Sequence, residues 1–308
     1  MNKTTYIASP GTGTERLDAW TAVKSGLSRS HVQRLIKQGL LTVNSRREKP
    51  NYRVKAKDLI ELTLPDEPAS ELIPEDIPLD VIMEDEYIIV VNKPPGMVVY
   101  PAAGNKSGTL LNALVSRCEK LASAGAPLRP GVVHRLDKET SGIMVFARND
   151  KAYLNLISQF SGRKVEKRYL ALLYGHPRTD RGEISIPIGR SVSDRKKMST
   201  HTKKGKEAIT RFEVIKKFGP AVMAKIRIIT GRTHQIRVHF AATGHPVLGD
   251  RTYGKKNTLK VGQKTVRFSR QMLHAQSLRF KHPGNNKMIN LTAPIPQDMK
   301  TAIEELSE

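Results

Sequence analysis

Two spacings of apolar residues alternate along the chain, and the points where they switch divide it into segments. After a lead-in over residues 1–13, read as flexible or as an edge strand, "RLDAWTAVK" sets Leu17, Trp20 and Val23 at helical spacing. "LSRSHVQRLIKQG" predicts a second helix, with Ser28 or Ser30 as its cap, Val32, Leu35 and Ile36 inward, and Gly39 at its end. "LLTVN" and "DLIELTL" predict strands. "PDEPASELIPEDIPLD" is Pro-rich and acidic, which suits a linker or extended arm.

From about Val81 the pattern changes. "YIIVVNKPPGMVVYP" predicts a buried strand, a Pro-Gly turn and another strand. "TLLNALVSRCEKLA" and "KAYLNLISQFSG" predict helices around the strand "IMVFARN". "KRYLALLYG", "AITRFEVIKKF" and "AVMAKIRIIT" predict further strands. The expected architecture is α+β. A small N-terminal α/β domain covers 14–65, an acidic linker 66–79, and a domain with a mixed, mainly antiparallel sheet 80–308. No internal repeat is visible.

Charge narrows the partners. The 308 residues carry a net charge of +23, which points to a polyanion, nucleic acid before membrane surface. Asp66 to Glu86 holds nine acidic residues and no Lys or Arg, so the rest is more basic still. Cys118 is the only cysteine, which excludes an internal disulfide or a thiolate metal site and fits a reducing cytoplasm. The N-terminus lacks the apolar stretch of a signal peptide, and no run of about 18 apolar residues predicts a membrane span.

Several chemistries are not signalled. "GTGTER" has no strand–turn–helix frame for a dinucleotide, "GNKSG" breaks the phosphate-loop order, and no Gly-x-Ser-x-Gly is present. His234 and His239 have no acidic or thiol neighbour in sequence to share a metal.

Four stretches do carry candidate chemistry. The helix with Arg29, His31, Arg34 and Lys37, followed by the basic turn Ser45–Arg47, can track phosphates. In "GVVHRLDKETSGIMVFARND" a single carboxylate, Asp137, sits between Arg135 and Lys138 with apolar residues on both sides. Taken alone it reads either as a salt-bridged surface loop or as a carboxylate at a strand edge facing a cleft. The flanking apolar runs, the neighbouring cations and Gly142 favour the second reading. A carboxylate with no paired acid suits a nucleophile or base better than a hydrolytic pair. In "HQIRVHF" alternation predicts a strand, with Gln235, Arg237 and His239 on one face, and Arg237 can bind a carboxylate through two hydrogen bonds. Tyr169 in "EKRYLALLYG" is either a half-buried sheet residue or an aromatic platform for a base.

These segments resemble families. "ERLDAWTA" with "LSRSHVQRLIKQGLLTVN" resembles the small RNA-binding domain first seen in a small-subunit ribosomal protein, the alpha-L domain. "DEYIIVVNKPPGMVVYPAAGN", "GVVHRLDKETSGIMVFAR", "KRYLALLYG", "GRTHQIRVHFAATGHPVLGDRTYG" and "RQMLHAQSLRFKHP", in this order, resemble the RluA/RluD family of RNA pseudouridine synthases. The resemblance implies that fold and a cofactor-free, metal-free isomerisation of uridine in RNA. The bond from the sugar to the ring nitrogen breaks, the uracil turns, and a carbon–carbon bond forms. It implies that Asp137 is the essential carboxylate, by attack on the sugar or proton removal from it, and that Arg237 pairs with it. Tyr169 stacks on the uracil and helps move a proton. Arg135 fills the gap left by the extruded nucleotide, with His134 beside it as a substrate contact. Tyr100 stands where the family often has His. The basic stretch 190–208 is expected to be a mobile RNA-contacting loop.

The expected partner is large-subunit ribosomal RNA in assembling subunits, bound by a monomer. The alternatives are the same chemistry on transfer RNA, or a non-catalytic RNA-binding assembly factor.

Overall fold

The computed structural model describes residues 2–9, 15–27, 29–64, 72–102, 104–123, 129–192, 194, 197–202, 204–254 and 256–308. They fall into two units, Met1–Glu71 and Leu72–Glu308.

In the first unit, β1 (Asn2–Ile7), α1 (Leu17–Ser25), α2 (Arg29–Gln38), β2 (Leu41–Val43) and β3 (Leu59–Leu64) follow in order. The lead-in is an edge strand of a three-stranded antiparallel sheet, ordered β1-β3-β2. Leu17 and Trp20 of α1 and Val32, Leu35 and Ile36 of α2 pack with Leu41, Ile60 and Leu62. Gly39, at φ +75°, ends α2, where a residue with a Cβ would be strained. Position 28 and the side chains of Ser30 and His31 lie outside the described residues, so the expected serine cap of α2 lies there too.

Val23 does not face inward; it is 81% exposed. Fully buried Asp18 accepts hydrogen bonds from Arg16, Arg29 and Gln33. This draws the buried stripe of α1 round to Leu17, Asp18, Trp20 and Thr21. Burial opposes ionisation of Asp18, but those three donors outweigh it and hold the carboxyl well below the usual carboxylate range.

The second unit begins with β4 (Asp80–Glu84), β5 (Ile88–Lys93), α3 (Leu110–Arg117), β6 (Ser141–Ala147), α4 (Asp150–Ser161) and β7 (Glu166–Tyr174). β8 (Arg181–Ser185), β9 (Gly189–Arg190), β10 (Met198–Ser199), β11 (Ile209–Phe218) and β12 (Ala221–Ile228) follow. α5 (Gln235–Ala242), β13 (Thr258–Val261), β14 (Lys264–Arg267), β15 (Leu273–Lys281), β16 (Met288–Thr292) and α6 (Gln297–Ser307) complete it. The nine-stranded sheet runs β4-β5-β6-β15-β7-β12-β11-β8, with β16 branching from β15. All its pairings are antiparallel except β6 with β15.

That parallel contact rests on Gly142. Its φ is +117°, and a Cβ there would strike the backbone of Ala275. β7 is buried on both faces, which explains its near-continuous apolar run. Tyr169, Ala171 and Leu173 join the larger core, which α3 and α4 also cover, while Leu170 and Leu172 join a second core under α6.

Two predicted strands are something else. "HQIRVHF" is helical: α5 follows His234, whose φ of +55° starts the helix in a left-handed conformation. Every residue from Gln235 to Phe240 is buried, so the polar alternation does not mark a solvent face. Gln235 is satisfied by Thr230, Thr210 and the Ile209 carbonyl, and His239 by Thr210 and the Ile186 carbonyl. "MVVYP" forms no strand, because the carbonyls of Val98 and Val99 accept from Leu110 and Leu111 at the start of α3. The helix predicted for "TLLNALVSRCEKLA" stops at Arg117. Within 190–208, β9 and β10 form a short hairpin, and residues 193, 195, 196 and 203 lie outside the described residues.

Candidate active site

Asp137 lies on the extended segment before β6, and its carbonyl accepts from Thr140 N–H at 3.1 Å. This turn is pinned from two directions. From the end of β5, fully buried Lys93 donates to the carbonyls of Pro94 (2.8 Å), Met97 (3.0 Å) and Lys138 (3.0 Å). Burial pushes its amine down to about 7, while the three carbonyls match the three protons of an ammonium. From just before β15, Gln271 donates to Thr140 Oγ1 at 2.8 Å and Arg270 to the Glu139 carbonyl at 3.0 Å.

The cation that meets Asp137 comes from α5. Arg237 Nη1 stands 2.9 Å from Asp137 Oδ2. Its other edge grips buried Asp250, Nε to Oδ2 at 2.7 Å and Nη2 to Oδ1 at 3.0 Å. Asp250 also accepts from the N–H groups of Thr252 and Tyr253. Burial opposes the charge on Arg237, but the two carboxylates outweigh it and raise its pKa further above its ordinary value. The sequence neighbours Arg135 and Lys138 are not the partners: Arg135 donates to the Tyr100 hydroxyl at 3.0 Å, and Lys138 reaches Asn105.

His234 Nε2 lies 3.7 Å from Asp137 Oδ1. Its Nδ1 is 2.8 Å from the Tyr253 hydroxyl, which itself accepts from Met198 N–H at 3.0 Å. Tyr253 thus ties His234 to β10, with the direction of the His234–Tyr253 hydrogen bond set by the imidazole tautomer. Burial lowers the His234 pKa, and Asp137 offsets this only in part. So a carboxylate does stand near this histidine, in space rather than in sequence.

A cavity of about 460 Å³ opens over Asp137, lined by Arg135, His134, Tyr169 and Arg237, with Phe160 and Ile228 as apolar wall. Burial, and then Asp137, push the Tyr169 phenol far above its ordinary value, so it stays protonated at neutral pH. His134 stacks on Phe160 at 4.8 Å, and its Nε2 accepts from Val145 N–H at 3.1 Å. Burial and the charge of Lys167 push it down to about 3, so it is a neutral wall. A second cavity of about 670 Å³ shares Arg135, Asp137, His234 and Arg237, and adds Tyr100 and Arg129. The Arg129 guanidinium stacks 4.2 Å from the Tyr100 ring centroid.

Five of the residues singled out from sequence thus meet here: His134, Arg135, Asp137, Tyr169 and Arg237. Arg29, Arg34 and Lys37 lie on the exposed side of α2 in the first unit, where Arg29 is also paired with Asp18 at 3.1 Å. Asp250, His234, Tyr253 and Lys93 are not singled out from sequence as site residues, although all four lie in segments that carry the family resemblance, and Lys93 closes an otherwise apolar strand.

Asp137 thus faces a cavity beside a mixed sheet, held by an arginine that also grips Asp250, and comparison with known proteins supplies the family. Residues 87–242 match the family model for RNA pseudouridylate synthase, and residues 15–60 match the S4 domain. A Bacillus subtilis protein named an uncharacterized RNA pseudouridine synthase, YlyB, is 40% identical over 99% of both chains. The ribosomal large subunit pseudouridine synthase D of Zymomonas mobilis is 40% identical over 94% of this chain and 93% of its own. The solved structure of human RNA pseudouridylate synthase domain containing 1 superposes with a TM-score of 0.56 at 28% identity, covering 75% of this chain and 96% of the human one. The chain belongs to the RNA pseudouridine synthases, with an S4 domain for RNA at its N-terminal side.

Proposed function

We propose that this chain isomerises uridines of large-subunit ribosomal RNA, with Asp137 as the essential carboxylate acting on the sugar. The observation that carries this reading is the clamp on Asp137: one guanidinium bridges it to buried Asp250 at the junction of two cavities. Such a carboxylate is fixed in direction without being covered, as a nucleophile or base must be. Tyr169 stacks on the extruded uracil, His134 walls it, and Arg135 occupies the vacated place in the RNA stack.

The ribosomal target is supported by the name of the Zymomonas relative, by the S4 domain and by the net charge of +23. The exposed cations of α2, with His31, would face the RNA, and the chain would act as a monomer in the cytoplasm on assembling subunits.

Tritium release tests this. Large-subunit RNA made without modifications and labelled at carbon 5 of uridine loses tritium to water only if isomerised. Wild type should release it, and Asp137→Ala should slow release by about 10²–10⁴-fold or more while still binding RNA. Release from transfer RNA alone would move the substrate, and undiminished release by Asp137→Ala would remove the carboxylate from the chemistry.

A further inference from the structure

Four Lys or Arg side chains are buried among the described residues: Lys93, Lys167, Arg237 and Arg270. Three have their charge answered. Lys93 holds three carbonyls, Arg237 two carboxylates, and Arg270 grips Asp298 at 2.6 and 3.0 Å. The Lys167 amine has no hydrogen bond and no ion pair among the described residues, although the residue is only 8% exposed. It sits at the start of β7, two residues before Tyr169 and on the same face, and it lines the 460 Å³ cavity. The charged and titratable groups lining this cavity are His134, Arg135, Asp137, Arg163, Tyr169, Arg232, His234 and Arg237. Its one acid, Asp137, is taken by Arg237, and Arg163 is already paired with Glu207. Burial and the charge of Arg163 push the amine down to about 8. The side chain is largely buried while its amine opens into the cavity, and a cation held there with no acid of its own is costly, so its retention calls for a partner that arrives from outside.

We propose that Lys167 is a catalytic residue whose partner is the uracil: its ammonium donates to a ring carbonyl and meets the negative charge the ring gains on leaving the sugar. This rests on the synthase reading. When the bond between C1′ and N1 breaks, its electron pair passes to the ring and spreads over N1, C5 and the carbonyl oxygens. The pair returns through C5 to make the new bond to C1′; C5 then releases its proton and N1 takes one up. The ring is anionic only between those steps, so a fixed cation there stabilises the reaction rather than the bound substrate. The apolar wall of Ile157, Phe160 and Ile228 beside Lys167 suits a flat base better than a phosphate.

Single-turnover tritium release on saturating RNA tests this with Lys167→Met and Lys167→Arg, together with RNA affinity and melting temperature. Lys167→Met should slow release by about 10²–10³-fold, change RNA affinity less than about threefold, and melt no lower than wild type, because it removes an unpaired buried charge. Lys167→Arg should restore a good part of the rate. Wild-type release should fall above pH about 8, where the lysine loses its proton, and Lys167→Arg should not share that fall. Wild-type speed in Lys167→Met, or a loss matched by weaker binding or a lower melting temperature, overturns the inference. Absence of release from wild type itself overturns the synthase reading and takes this one with it.

Discussion

Asp250 shows how much a single residue can do without touching substrate. It is buried, takes the Nε and Nη2 edge of Arg237 and is itself fixed by two backbone N–H groups, so it sets where the guanidinium meets Asp137. Asp250→Asn keeps the shape and removes the charge. It should slow single-turnover release by about 10–100-fold with RNA affinity unchanged, and destabilise the chain, since breaking a buried pair costs about 3–5 kcal/mol. Release assays beside urea melts check both; an unchanged rate would make the bridge purely structural. The sequence makes Asp137, Tyr169 and Arg237 legible because each sits in a motif of the family it resembles. Asp250 and His234 lie in the same motif as Arg237, but the sequence does not show that they meet it at the site. Arg237 reaches Asp250 across 13 positions and Asp137 across 100, and no local pattern encodes either reach.

Among the elements, strands are most legible where one period rules and least where buried polar groups have private partners. β7 announces itself by length and apolar content. α5 does not: within Gln235–Phe240 each polar side chain is answered by partners from other parts of the chain, so alternation mimics a half-buried strand. The same logic governs α1, where an inward carboxylate shifts the face that helical spacing alone assigns to Val23. Asp18 carries a pH signature. Its pKa is lowered by folding, so the stability it lends is complete above the unfolded value near 4 and is lost as pH falls through and below that value. Melts of wild type and Asp18→Asn should differ most at neutral pH, and the difference should shrink steadily as pH falls below about 4. A constant difference across that range would mean the ion pairs are not the source of the stability.

For the whole molecule, charge dominates how RNA is met. A chain of net +23 binds RNA largely by displacing counterions, so its affinity falls steeply with salt. If α2 supplies phosphate contacts, Arg34→Ala with Lys37→Ala should weaken binding and reduce the slope of log affinity against log salt by about 1.5–2. An unchanged slope, measured over several salt concentrations, would take that helix off the RNA face.

The order of strands has a consequence in time. β4, β5 and β6 form one side of the sheet and β7, β12, β11 and β8 the other, and β15 is the strand that joins them. Asp137 leads into the first side and Tyr169 stands on the second. A ribosome making this chain delivers both long before Leu273–Lys281 emerges, so the two walls of this cavity wait for a seam sewn almost last.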